Sequence, residues 1–347
     1  MNRIPSLDGL RAISILLVLV AHTRFSEGFP VKYADLARHG GVGVTVFFVI
    51  SGFLITFLLL NEQEKTGRIS LKQFYINRVL RILPVFLFYS LFIIVLKNFK
   101  LIGLFGDSLH YVFTFTVNFD HHINWYFLHF WSLSVEEQFY VFWPAILLLF
   151  NKHLKTVLIA LIMYSCFARV IAYRFPAYAV ISLSPFFNYS DAIFTGALGG
   201  AVFFKNPAIC RHWVFRSYWL QMVALILIIA FVYFTGYGKL GKVALPFGNI
   251  IISASVLFLI FSYITPGNPL VFNFLNSRIL VHIGILSYSI YIWQQFFFVG
   301  KFNGLWPTFP VNILVIYFVS LASYYLLERP FLRLRKQLSD NKIKVSI

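Results

Sequence analysis

The chain has 347 residues with a formal net charge of +17; 59% of its residues are apolar, 20% aromatic and only 12% charged. Soluble domains carry about 25% charged residues, so the composition excludes a soluble globular protein and points to an integral membrane protein. The positive charge needs no nucleic acid as partner, because basic residues spread over loops and a tail are what membrane topology produces, and no nucleic-acid motif accompanies them.

Ten apolar stretches read as spans, at about 10–25, 42–60, 82–97, 138–150, 156–173, 190–204, 217–235, 249–264, 279–299 and 311–327. Several are shorter than the roughly 20 residues a bilayer core requires. The expected fold is therefore all-α, a polytopic membrane helix bundle in contact with lipid throughout. With both termini cytoplasmic, 19 of the 29 Lys and Arg fall on the cytoplasmic side, as the positive-inside rule asks. The first span, with Arg3 before an apolar run, could be taken for a secretory signal, but Asp8 in its head and the lack of a small-x-small cleavage site make a retained span the expectation. The two cysteines, Cys166 and Cys210, supply neither a disulfide framework nor a zinc motif. No internal repeat or linker interrupts the chain, so one bundle without a soluble appendage is expected.

The first span carries Arg11 and His22 in an Arg-x10-His spacing. At about 100° per residue, eleven steps make three turns plus about 20°, so both side chains share one helix face, roughly 16 Å apart along the axis. A cation and an imidazole on one stripe of a membrane helix are costly unless the stripe faces protein or water. His22 is thus a candidate general base, and the competing reading is a histidine satisfied inside the bundle.

After the second span comes a dense polar loop, Asn61 to Arg81. Arg78 and Arg81, at i and i+3, lie on neighbouring positions of one helix face. Their planar forks suit phosphate oxygens, although positive-inside anchoring explains them equally simply. Between Lys97 and Gln138, Asp120, His121, His122, Asn124, Trp125, Tyr126, His129 and Trp131 crowd together on the outer side. Polar-tipped rings beside Asn and Asp could grip a sugar; an interfacial aromatic belt is the alternative. A metal site from His121, His122 and His129 is not required by the spacing, and none is expected.

The segment Trp131–Tyr140 places Glu136 and Glu137 about 100° apart on a helix. Glu136 heads the stripe Tyr140, Trp143, Leu147 and is expected to face inward. Glu137 heads Val141, Pro144, Leu148 and is expected on a lipid or interface side. A carboxylate beside His22 would fix its tautomer and make it a stronger base, and Glu136 is the candidate for that partnership. Ser132 or Ser134 could instead cap the helix, with the acids in its first turn.

Six segments in order, "LDGLRA" with His22 ten residues beyond Arg11, "FFVISGFLIT", "RVLRILP", "WSLSVEEQFY", "SYSIYIW" and "ERPF", resemble the acyltransferase 3 family of membrane acyltransferases. The resemblance implies a ten-helix domain over residues 1–330, followed by a basic cytoplasmic tail at 331–347. It also implies transfer of an acyl group, often from acetyl-CoA, to an extracytoplasmic carbohydrate at the inner (cytoplasmic) membrane. By the same resemblance His22 is the catalytic base with Arg11 as its motif partner, Glu136 is the motif acid, and Arg78, Arg81 and Arg11 hold the CoA donor. Ser51 and Gly52 match a small-residue turn where helices approach closely, and Glu328, Arg329 and Pro330 end the last helix. Trp125, Tyr126, Trp131 and Gln294 are the candidate acceptor contacts. One departure stands out: many members have His after the "SYSIYIW" stretch, whereas this chain has Gln294, which orients by hydrogen bonds but does not shuttle protons. A rival class, an exporter of lipid-linked saccharide, predicts repeated halves or paired broken helices, and the sequence shows neither.

Overall fold

The structure is a computed structural model and describes residues 4–103, 109–120, 122–298 and 308–345. Ten long helices occupy the ten expected stretches: α1 (Leu7–Thr23), α2 (Val42–Thr66), α3 (Leu71–Asn98), α4 (Phe130–Leu149), α5 (Leu154–Arg174), α6 (Ser184–Lys205), α7 (Tyr218–Gly236), α8 (Gly241–Tyr263), α9 (Arg278–Phe297) and α10 (Val311–Ser323); α11 (Arg329–Val345) follows. Among the described residues there is no β-strand, only an isolated bridge between Glu27 and Thr308.

Not all ten are long and apolar enough to cross a bilayer on those grounds. Among the described residues six qualify: α2, α3, α5, α7, α8 and α10 with its extension; α9 makes a seventh when joined to the short helix Pro269–Leu275, from which it bends by 47°. The three that fall short, α1, α4 and α6, carry Arg11 with His22, Glu136 with Glu137, and Asp191. With 17 residues α1 is short of the roughly 20 a bilayer core requires, while Glu136 and Glu137 in α4 and Asp191 in α6 interrupt their apolar runs.

Helices in lipid gain little from hydrophobic segregation and associate through close van der Waals packing at small residues. The α2–α6 crossing shows this. A Cβ at Gly52 would lie 1.9 Å from the Ile193 carbonyl oxygen, and one at Gly196 would lie 2.0 Å from that of Val49. The sequence assigned Gly52 this part. The α1–α9 pair is equally tight, since a Cβ at Gly284 would sit 1.9 Å from the Asp8 oxygen. Ile15, Val49, Phe53, Trp143 and Ile193 are fully buried where these helices meet.

The last helix does not end at Glu328–Pro330 as expected. A π-helical turn, Tyr324–Glu328, carries α10 directly into α11. Pro330 falls in the first turn of α11, where its missing N–H is tolerated. The wide turn directs the Glu328 carboxylate into the bundle, where it accepts from Ser289 Oγ at 2.9 Å and is only 3% exposed.

Candidate active site

A cavity of about 140 Å³ lies between α1, α2, α3, α4 and α9, and its polar lining includes Arg11, Ser51, Arg78, Arg81, Glu136 and Tyr140. Three helices from separate parts of the chain thus converge four of the residues singled out from sequence: Arg11 on α1, Arg78 and Arg81 on α3, and Glu136 on α4. Glu136 Oε1 accepts from Ser51 Oγ at 2.6 Å, and all three guanidiniums act on its carboxylate electrostatically. Arg11 Nη1 also donates to Asp8 Oδ1 at 2.9 Å, one helical turn back. Arg78 lies over the rings of Tyr140, 5.0 Å from centroid, and Phe74, at 5.6 Å. Its Nε–H is buried with no partner. Three cations thus face one lining carboxylate, so the cavity carries a surplus of positive charge. An anionic group entering it would meet guanidinium forks, among them the unpartnered Arg78 Nε–H.

Glu137 does not face lipid as the helical stripe suggested. Its Oε1 is buried without a hydrogen-bond partner, and it interacts electrostatically with Arg78 and Glu136. The hydropathy of its stripe misled because the side chain one turn away need not share its neighbour. Glu328 and Arg335 also belong to this electrostatic cluster through Arg81. Neither was assigned here from sequence, and the π-turn that brings Glu328 inward has no composition signal.

His22 is on α1 with Arg11, as the spacing required, but it is not among the residues lining the arginine cavity. Its Nδ1 lies 2.8 Å from the Val18 carbonyl oxygen. A carbonyl only accepts, so Nδ1 carries the proton and Nε2 holds the lone pair in the neutral ring. The ring stacks on Phe298 at 6.0 Å and 17°. The expected Glu136 partnership is therefore replaced: a backbone carbonyl one turn back sets the tautomer, while the carboxylate is bound to Ser51.

Tyr291 and His129 lie between the two places. Tyr291, which lines the cavity, donates its hydroxyl to the His129 carbonyl at 2.7 Å and accepts from Ser132. His129 is buried, donates Nε2–H to the Ile292 oxygen at 3.1 Å, and interacts electrostatically with His22.

The aromatic cluster divides. Trp125 is half-buried, packs edge-on against Phe25 at 4.9 Å, and exchanges hydrogen bonds with Gln295: Nε1–H to its carbonyl, and Gln295 Nε2 back to the Trp125 carbonyl, both 3.0 Å. Tyr126 is buried at 2% exposure, its carbonyl accepting from Tyr89 at 2.8 Å, and so presents no face to solvent. Trp131 is half-buried, 4.4 Å from Tyr189. Gln294 is fully buried with both amide atoms unpartnered. His122 is exposed and His121 lies outside the described residues; among those described, no three metal-ligating side chains converge.

The family model described as an acyltransferase domain, Acyl_transf_3, matches residues 4–329. The chain belongs to the acyltransferase 3 family. Peptidoglycan O-acetyltransferase OatA of Listeria monocytogenes serovar 1/2a is 29% identical over 84% of this chain and 49% of its own length. O-acetyltransferase OatA of Staphylococcus aureus is 26% identical over 94% of this chain and 57% of its own. This acyltransferase 3 chain thus spans about half the length of the curated relatives it matches. No solved structure matches it.

Proposed function

We propose that the protein is a membrane O-acyltransferase, most simply an O-acetyltransferase, that moves an acyl group from cytoplasmic acyl-CoA to a hydroxyl of an extracytoplasmic or lipid-linked carbohydrate at the inner membrane. The observation that carries this reading is the separation of charge along α1. Arg11 stands in a cavity with Arg78 and Arg81, and His22 presents an unprotonated Nε2 roughly 16 Å further along the same helix.

In this mechanism Arg78 and Arg81 grip the donor's phosphates and Arg11 holds the donor at the cavity's inner edge. The thioester reaches toward the other end of α1. His22 Nε2 takes the proton from the acceptor hydroxyl as its oxygen attacks the thioester carbonyl. The tetrahedral intermediate then expels the CoA thiolate, which recovers the proton from the imidazolium. Transfer through a transient acyl-enzyme obeys the same proton accounting. Glu136, tied to Ser51, keeps the arginine cluster from repelling itself apart. Gln294 and the outer aromatic residues would orient the acceptor. Candidate acceptors are O-antigen, capsule and exopolysaccharide, and the Listeria relative's name adds peptidoglycan.

The test follows label from radioactive acetyl-CoA into envelope glycan, using membranes that carry wild type, His22→Ala or Arg78→Ala. Label is expected with wild type and lost with each variant; wild-type turnover by correctly inserted His22→Ala protein would remove the base.

A further inference from the structure

At the end of the bundle that carries His22 there is a second, larger opening with no part in the donor chemistry. It is a cleft of about 1000 Å³ formed by the last turns of α5, the first turns of α6 and the turn joining α7 to α8. Its place at this end follows from ring contacts: His39, between α1 and α2, packs on Tyr237 at 5.2 Å. A neighbouring cleft of about 470 Å³, bordered by Trp131 and Asp120, shares Ala172, Asn188 and Tyr189 with it as a common wall. Both volumes are of ligand-pocket size, about 300–1,000 Å³.

The floor is built from buried polar groups. Arg169, 9% exposed, pairs with the fully buried Asp191 at 2.8 Å and donates to the carbonyls of Asn188 at 3.0 Å and Pro246 at 2.8 Å. Two atoms remain buried without partners: the Arg169 Nε–H, a donor, and Asn188 Oδ1, an acceptor. Buried polar atoms cost free energy unless hydrogen-bonded, so this floor has one donor and one acceptor ready for a hydroxylic ligand. Tyr173 and Tyr189 add polar-tipped aromatic walls suited to the C–H faces of sugar rings.

Charge gives the groove a direction. The exposed Lys239 and Lys242 line the larger cleft together with Arg169, and no Asp or Glu is among its described lining residues. The smaller cleft instead has Asp120, whose Oδ2 is buried and unpartnered, a natural acceptor for a sugar hydroxyl. Trp131 on that side directly precedes Ser132, which lines the arginine cavity.

We infer that these two clefts form one docking groove for an acidic oligosaccharide, with an anionic group at Lys239 and Lys242 and a neutral ring against Asp120 and Trp131. The inference rests on the acyltransferase reading for its purpose, acceptor capture, but binding can be measured without acyl donor. The probes are a hexagalacturonate, the neutral hexasaccharide chitohexaose, and hexaglutamate as an acidic peptide, titrated onto the full chain in nanodiscs.

Wild type is expected to bind hexagalacturonate at least about fivefold more tightly than chitohexaose, with the preference falling as salt rises. Lys239→Glu with Lys242→Glu should abolish that preference while leaving chitohexaose binding unchanged. Asn188→Ala removes an atom that has no partner within the protein, so it leaves no new unmet group; it should weaken both sugars about fivefold. Equal binding of the two sugars by wild type, variants that bind as wild type does, or no sugar binding at all overturns the groove. Hexaglutamate binding as tightly as hexagalacturonate overturns its assignment to saccharide. Acetyl transfer is scored separately on the same preparations: binding without transfer sinks the proposed activity alone, and transfer without binding sinks the groove alone.

Discussion

Ser51 Oγ donates to Glu136 Oε1 across 2.6 Å, joining α2 to α4 inside the arginine-lined cavity. The bond meets one carboxylate oxygen with a neutral donor, so that oxygen makes no demand on the donors of Arg78 and Arg81. Ser51→Ala leaves that oxygen unmet, and a hydrogen bond to a charged group is worth about 1.5–3 kcal/mol. Acyl transfer is expected to fall about tenfold or more in kcat/KM for the donor, and the thermal midpoint in detergent should fall with it. Ser51→Thr, which restores the hydroxyl, should recover much of both losses.

Arg78 lies over Tyr140 and Phe74 and has an unpartnered Nε–H. Lysine keeps the charge but loses the planar fork and the ring stacking. Arg78→Lys should therefore raise KM for acyl-CoA about tenfold and leave kcat within about twofold. The measurement is steady-state kinetics against acyl-CoA at fixed acceptor; an unchanged KM would remove Arg78 from the donor site.

Gln294 is wholly buried with both amide atoms unpartnered. Gln294→Leu removes two unmet polar atoms at similar volume, so the thermal midpoint in detergent should rise, by the equivalent of about 1–3 kcal/mol. Transfer to glycan should fall at the same time. A stabler protein with full activity would make Gln294 a relic of packing and take it out of the acceptor site.

The α2–α6 crossing allows a paired test. Gly52→Ala drives a Cβ to 1.9 Å from a backbone oxygen, whereas Gly41→Ala, at the start of α2 with φ of −55°, meets nothing within 4 Å. Overpacking costs about 1–3 kcal/mol or more. Folded yield and thermal midpoint should drop sharply for Gly52→Ala and stay near wild type for Gly41→Ala.

What could be read in advance was what periodicity encodes. Each apolar run became a helix, and Arg11 with His22 came out on one helix because eleven residues nearly close three turns. Glu136 was placed inward correctly because its stripe is aromatic and polar-tipped. Glu137 was misplaced because a 100° offset separates faces without saying which neighbour each face meets. The Val18 anchor for His22 left no mark in the sequence, because every residue one turn back offers the same backbone carbonyl. Glu328 escaped because a π-turn depends on tertiary packing, and the cleft floor escaped because Arg169, Asn188 and Pro246 come from three different helices and are individually ordinary.

The close fit of α1 against α9 at Gly284, with His22 stacked on Phe298 just past the other end of α9, holds two far points of one rod to a single splint. On the proposed mechanism, the span from Arg78 and Arg81 to His22 would then be a fixed gauge. A donor of the wrong arm length would fail by not reaching, whatever its affinity, and the chain length between phosphate and thioester would be a selection rule written into the scaffold itself.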